Sequence, residues 1–230
     1  MPVSLDHLAA LAAARPRPPE PGSWSISAAA GGRTSVRLYG YIGKWRDVES
    51  KAFADALDAI GDGGIDLHVN SGGGDFFDGV AVYTALRSHA SDVDVYIDAL
   101  AASAASLVAM AGDRILIEKP AKMMIHRASA VTWGTGDEHR QLGSLLDEVD
   151  DTQAEMYADR AGGTVKEWLA RMDATTWYSA REAVRVGLAD EVIGQAKDRG
   201  EDGTAAAAAL ALRDQTIRAR ARAAMTRGRR

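Results

Sequence analysis

Short β-branched runs at Ile65–Val69, Val93–Ile97, Arg114–Ile117 and Lys122–His126 alternate with helix-period stretches at Phe77–His89 and Ser103–Ala111. Strands separated by one helix can lie side by side and parallel only through a crossover, and such crossovers are right-handed. The alternation therefore predicts an α/β fold, a mostly parallel sheet built from β-α-β crossovers. The flanking sequence extends this pattern. Trp24–Ser27 and Ser35–Ile42 read as two strands joined through Gly31-Gly32, and Val48–Ile60 as a helix burying Val48, Phe53, Leu57 and Ile60. On Phe77–His89 the inward residues are expected to be Val80, Tyr83, Ala85 and Leu86.

Asp137–Ala161 reads as a long helix with an apolar stripe of Leu142, Leu145, Leu146, Val149, Met156 and Tyr157. Asp147, Glu148, Asp150 and Asp151 are expected on its solvated face. Thr164–Met172 is a further helix. Ser179 with Glu182 forms a capping box opening another, which Gly187 stops before a last strand at Leu188–Ile193.

A chain of 230 residues that is 47% apolar supports one substantial domain. Residues 1–22 read as an arm, because four prolines in Arg15–Gly22 rule out regular structure. The body is expected at 23–196 and an alanine- and arginine-rich tail at 197–230. The net charge of −5 is divided unevenly, +6 from Arg213 to Arg230 and −11 before it. The tail could contact nucleic acid or an acidic protein, or simply solubilise the chain. No apolar run of 18 residues predicts a membrane span, and no basic-then-apolar leader is visible. The absence of cysteine excludes disulfides, thiolate zinc sites and a cysteine nucleophile, and fits a reducing cytoplasm.

The chemistry centres on Ala99–Gly112, ALAASAASLVAMAG. Ser103 falls at a strand-to-helix turn, where small neighbours admit a substrate backbone and unpaired N–H groups lie close by. Runs of this kind also serve tight packing. Among five histidines, His126 alone stands at the C-terminal end of a predicted strand, the edge where open α/β sheets build sites. The Gly72-Gly73-Gly74 loop offers backbone donors to an anion, or is merely a tight turn. It is no phosphate loop, since no Gly-Lys-Ser/Thr follows. A serine hydrolase needs a nucleophile, a base and a group orienting the base. Asp173, in a break between helices, is one of many acids composition cannot choose among. No cluster has convincing metal spacing, and no cofactor is indicated.

In this order of motifs the chain resembles the proteolytic subunit of the Clp protease, and most nearly the Clp-related head-maturation proteases of tailed bacteriophages. Val69-Asn70-Ser71-Gly72-Gly73-Gly74-Asp75 is similar to the family's oxyanion loop, with Gly72 where proline is common. Ala101-Ala102-Ser103-Ala104 is similar to the nucleophile turn, and Met124-Ile125-His126 to the histidine motif. Thr176–Ala183 and Gly187–Val192 are similar to the closing segment. The resemblance implies the Clp protease/crotonase-like fold with a protruding handle helix at 137–161. It implies Ser103 as nucleophile, His126 as general base and Asp173 as orienting acid, with the Gly73 and Ala104 N–H groups as oxyanion hole. The segment before Trp177 is about two residues shorter than in the bacterial subunit, and Thr175 and Thr176 cannot replace a carboxylate.

The implied function is that of a serine endopeptidase cutting phage coat or scaffold protein, in the host cytoplasm or a prohead, as a homo-oligomeric ring. A housekeeping-type peptidase served by a separate ATPase unfoldase, a non-catalytic ring subunit and a crotonase-type acyl-CoA enzyme are the competing readings.

Overall fold

Alternating burial along Thr34–Ile42 (β2), Ile65–Gly74 (β3) and Val93–Ala102 (β4) sets the architecture. Ile65, Leu67 and Val69 point into the core, while Asp66, His68 and Asn70 face the other side of the sheet. The computed structural model describes residues 24–28, 32–43, 48–61 and 63–194. The readings of residues 1–22 as an arm and 197–230 as a basic tail lie outside the described residues, as does the Gly31 of the hairpin turn.

Strands run in the order β1-β2-β3-β4-β5-β8, with Trp24–Ala28 (β1), Arg114–Glu118 (β5) and Glu191–Ile193 (β8). β1 is antiparallel to β2, and every other neighbouring pair in that order is parallel. The sheet then forks. Lys122–Ile125 (β6) pairs parallel with the far end of β4, and Thr176–Ser179 (β7) pairs antiparallel with β6.

The helices are Ser50–Leu57 (α1), Phe76–Ser88 (α2), Ala104–Ala109 (α3), Gly136–Ala161 (α4), Val165–Asp173 (α5) and Ala180–Val186 (α6). The core lies between the sheet and these helices, and α3 is buried along its whole length. On α2 the buried positions are Gly79, Val82 and Leu86; Val80, Tyr83 and Ala85 are only half-buried. The helix is apolar nearly all round, so its pattern could not fix the phase.

Two differences matter for function. β3 and β4 each run five residues beyond the β-branched pattern, so β4 ends directly before Ser103. A register shift between Val69 and Ser71 carries β3 through its glycines as strand rather than as a free loop. The long helix α4 buries no residue fully before Val149: Leu142 and Leu146 are half-buried and the rest of its first half is exposed. Its capping box of Thr135 and Glu138 satisfies its first donors without help from the core.

Candidate active site

Ser103 occupies the single residue between β4 and α3, with φ 54° and ψ −131°. Only Ser103 and Thr175 take positive φ among the described non-glycine residues, a conformation costing roughly 1–3 kcal/mol. The surrounding bonds hold it there. The Ser103 N–H donates to the Met124 carbonyl at 2.9 Å, while its own carbonyl accepts from the Ser106 N–H at 2.9 Å and the Ser106 hydroxyl at 2.6 Å.

The same pairing positions His126. Ala102 stands opposite Met124 in the β4–β6 ladder, so His126, just past the end of β6, comes alongside the serine. His126 Nε2 lies 2.8 Å from Ser103 Oγ, within reach for direct proton transfer. For the hydroxyl to donate to Nε2, the ring proton must sit on Nδ1. Among the described residues Nδ1 has no hydrogen-bond partner.

Gly73 approaches the Ser103 turn from β3 with φ 93°. A Cβ there would stand 2.6 Å from the Ala102 oxygen and from Ser103 Cβ. Only glycine permits this contact. The Gly73 N–H, expected in the oxyanion hole, instead donates to the buried Ser71 Oγ at 3.0 Å, and Ser71 donates onward to the Gly40 carbonyl at 2.5 Å. The strand register turns this amide inward; Gly72 and Gly74, not Gly73, line the cleft. Ala104 does line it, and as the first residue of α3 its N–H has no acceptor within the helix.

Asp173 is not brought to His126. It is the last residue of α5, exposed, and accepts from Arg127 Nε at 2.7 Å and the second Arg127 nitrogen at 3.2 Å. In place of the expected Asp173–His126 bond, Asp173 makes a two-point ion pair with Arg127, the residue following His126. The Arg127 hydrogen bond holds the Asp173 carboxyl below its ordinary range, and the same pairing raises the guanidinium.

Arg127 also donates to Asp150 of α4 at 3.2 Å, and the Ala128 N–H donates to Asp150 at 2.6 Å. Asp150, expected on a solvated face, is 3% exposed. The two links hold the two residues that follow His126, and the sequence held no signal for them beyond an acid one position from Val149. Above Ser103, Ala104 and His126 opens a cleft of about 430 Å³, with apolar walls from Tyr41, Phe76 and Phe77 and from Leu142, Leu145, Leu146 and Val149 of α4.

The remaining described histidines lie elsewhere. His68 bonds Asp98 at 3.0 Å and stacks on Tyr96 across the outer sheet face, and His89 caps α2. His139 is exposed in the first turn of α4. No group of three or more His, Asp or Glu side chains among the described residues is arranged to hold a metal ion. No described helix is long and apolar enough to cross a membrane.

A sequence model of the family described as Clp protease matches residues 52–196. The chain is 28% identical over 141 residues to the ATP-dependent Clp protease proteolytic subunit 2 of Rhodococcus jostii, covering 60% of this chain and 72% of that protein. It is 31% identical over 131 residues to the ATP-dependent Clp protease proteolytic subunit of Chlorella vulgaris, covering 56% and 65% respectively. Among solved structures, a point mutant of ClpP1 from Listeria monocytogenes superposes with a TM-score of 0.63 at 19% identity, over 70% of this chain and 92% of that one.

Proposed function

The chain belongs to the Clp protease family and is a serine-type peptidase; from that premise we propose that Ser103 and His126 carry its chemistry. The observation supporting the assignment is the 2.8 Å contact between Ser103 Oγ and His126 Nε2 at the floor of a cleft with mixed polar and apolar walls. His126 takes the hydroxyl proton as Oγ attacks the scissile carbonyl, then returns it to the leaving amine. The Ala104 N–H receives the developing oxyanion, a donor contributing about 3–4 kcal/mol by analogy with other serine hydrolases. Gly73 joins it only if its N–H exchanges Ser71 for the substrate oxygen. Asp173 orients His126 only after leaving Arg127, so the resting protomer works as a serine–histidine pair.

The substrate we propose is phage coat or scaffold protein, cut by a homo-oligomeric ring in the host cytoplasm or inside a prohead. Proline-rich Arg15–Gly22 and arginine-rich Arg213–Arg230, one on each side of the family match, support this reading. The relatives favour a second one. Their names mark ATP-dependent proteolytic subunits, and a separate ATPase would have to supply that dependence here, since the sequence has no phosphate loop.

The experiment is hydrolysis of a purified tailed-phage coat protein, against an unfolded general substrate such as casein, each with and without a Clp ATPase. Specific cleavage of coat protein without the ATPase supports the maturation reading. Cleavage of casein only with the ATPase supports the second. No cleavage by wild type of either, with Ser103→Ala indistinguishable from it, contradicts both.

A further inference from the structure

Ser106 and Tyr157 form a hydroxyl chain that the chemistry above does not use. Both are 0% exposed. Ser106 Oγ lies 2.6 Å from the Ser103 carbonyl and 2.8 Å from Tyr157 Oη. A carbonyl only accepts, so the Ser106 proton points to Ser103, and Tyr157 must donate to Ser106. The chain therefore runs in one direction, from α4 through α3 to the nucleophile's own carbonyl.

That carbonyl shares a peptide plane with the Ala104 N–H. The described peptide bonds are trans, so the C=O and N–H of one unit point in opposite directions. Holding the Ser103 oxygen inward holds the Ala104 hydrogen outward, toward the cleft that Ala104 lines. Hydrogen bonds to a carbonyl also polarise its amide and make the N–H a better donor. Packing alone does not call for these hydroxyls, since phenylalanine would fill the space beside Trp168, whose ring lies 5.5 Å from that of Tyr157.

We propose that Ser106 and Tyr157 are positioning residues for the oxyanion hole: they fix and polarise the Ser103–Ala104 peptide whose N–H meets the transition state. The proposal rests on the reading of Ser103 as nucleophile. It extends that reading to two residues that touch no substrate. Asp150, seven residues before Tyr157 on the same helix, holds the segment carrying His126. One face of α4 thus sets both the base and the oxyanion donor.

The test is turnover of a short fluorogenic peptide by the full-length protein, in wild type, Tyr157→Phe, Ser106→Ala and the double variant. The assays are run well below each variant's unfolding temperature. An oxyanion donor acts mainly in the transition state, so kcat is expected to fall about three- to tenfold in Tyr157→Phe with KM unchanged. That is smaller than the roughly 10²–10³-fold cost of losing a donor outright. Ser106→Ala is expected to fall at least as far, and the double variant no further than Ser106→Ala, because the chain is already cut. A peptide boronic acid, which forms the tetrahedral adduct, is expected to lose affinity in step with kcat.

Variants with lowered melting temperature but wild-type kcat would overturn the proposal, leaving the hydroxyls a structural role. So would independent, multiplicative losses in the double variant. If either single variant fails to fold, the other decides by its kcat and KM. A wild-type chain that neither turns over peptide nor reacts with a fluorophosphonate overturns the underlying reading and this inference together.

Discussion

The two positive-φ residues, Ser103 at 54° and Thr175 at 48°, belong to turns that end in opposite ways. The Ser103 turn is enclosed by β4, β6 and a fully buried α3, and both its backbone polar groups have fixed partners. The Thr175 turn closes α5 at the surface, with Asp173, Ala174 and Thr175 all exposed. Its N–H returns to the Met172 carbonyl at 2.9 Å, and its acid reaches no farther than Arg127. Strain enclosed by packing fixes a side chain to a reaction coordinate. The same strain at the surface leaves the side chain to whichever charge is nearest. Ser103 and His126 are therefore placed by the fold, and Asp173 by an ion pair that solvent can exchange.

The largest effect that would sharpen this contrast lies on the enclosed side. Ser103→Ala and His126→Ala are each expected to lower peptide hydrolysis by about 10³-fold or more, and the double variant no further, because the pair acts as a unit. Steady-state assays on the three proteins check it. Gly73→Ala comes next. Its Cβ would meet Ala102, Ser103 and the Ala104 nitrogen within 2.9 Å at a φ of 93°. It is expected to cost at least about 2 kcal/mol, seen in thermal unfolding, and to lower activity by displacing the turn.

On the exposed side Asp173→Asn is expected to lower kcat by less than about tenfold. An acid bonded to its histidine would cost about 10⁴-fold. A loss of that size would break the comparison, placing Asp173 on His126 during turnover.

The smallest expected effect is in the pH profile. Arg127 depresses the Asp173 carboxyl below its ordinary value near 3.9. The ion pair is thus intact above the unfolded value and is lost only as pH falls through the lower folded one. Between about pH 5 and 8 Asp173 does not titrate, and pH–rate profiles of wild type and Asp173→Asn are expected to share their shape.

Much of this contrast could be read from the sequence on one side and little on the other. The strand–helix alternation carried the parallel sheet and put Ser103 at a strand-to-helix turn and His126 at the C-terminal end of a strand, while only the order of motifs separated catalysis from packing there. Asp173 was chosen by its place before Thr176–Ala183, and a place in the chain says nothing about which way an exposed side chain turns. Asp150 sits among Asp147, Glu148 and Asp151, an acidic run that looks uniformly solvated. Only the packing of Val149, Gln153, Ala154 and Tyr157 shows that the face turns inward there. β7 was missed because its four residues run straight into the capping box of α6. The last strand begins at Glu191 rather than Leu188, since the left-handed Gly187 first buries Leu188 and Ala189.

The most direct measurement is fluorophosphonate labelling of the full-length protein, read by intact mass and peptide mapping, with Ser103→Ala, His126→Ala and Asp173→Asn beside wild type. The account predicts one adduct on Ser103, absent from the first two variants and retained in the third at a rate within about tenfold of wild type. A folded wild type that takes no label, or an adduct that survives His126→Ala unchanged, would contradict it.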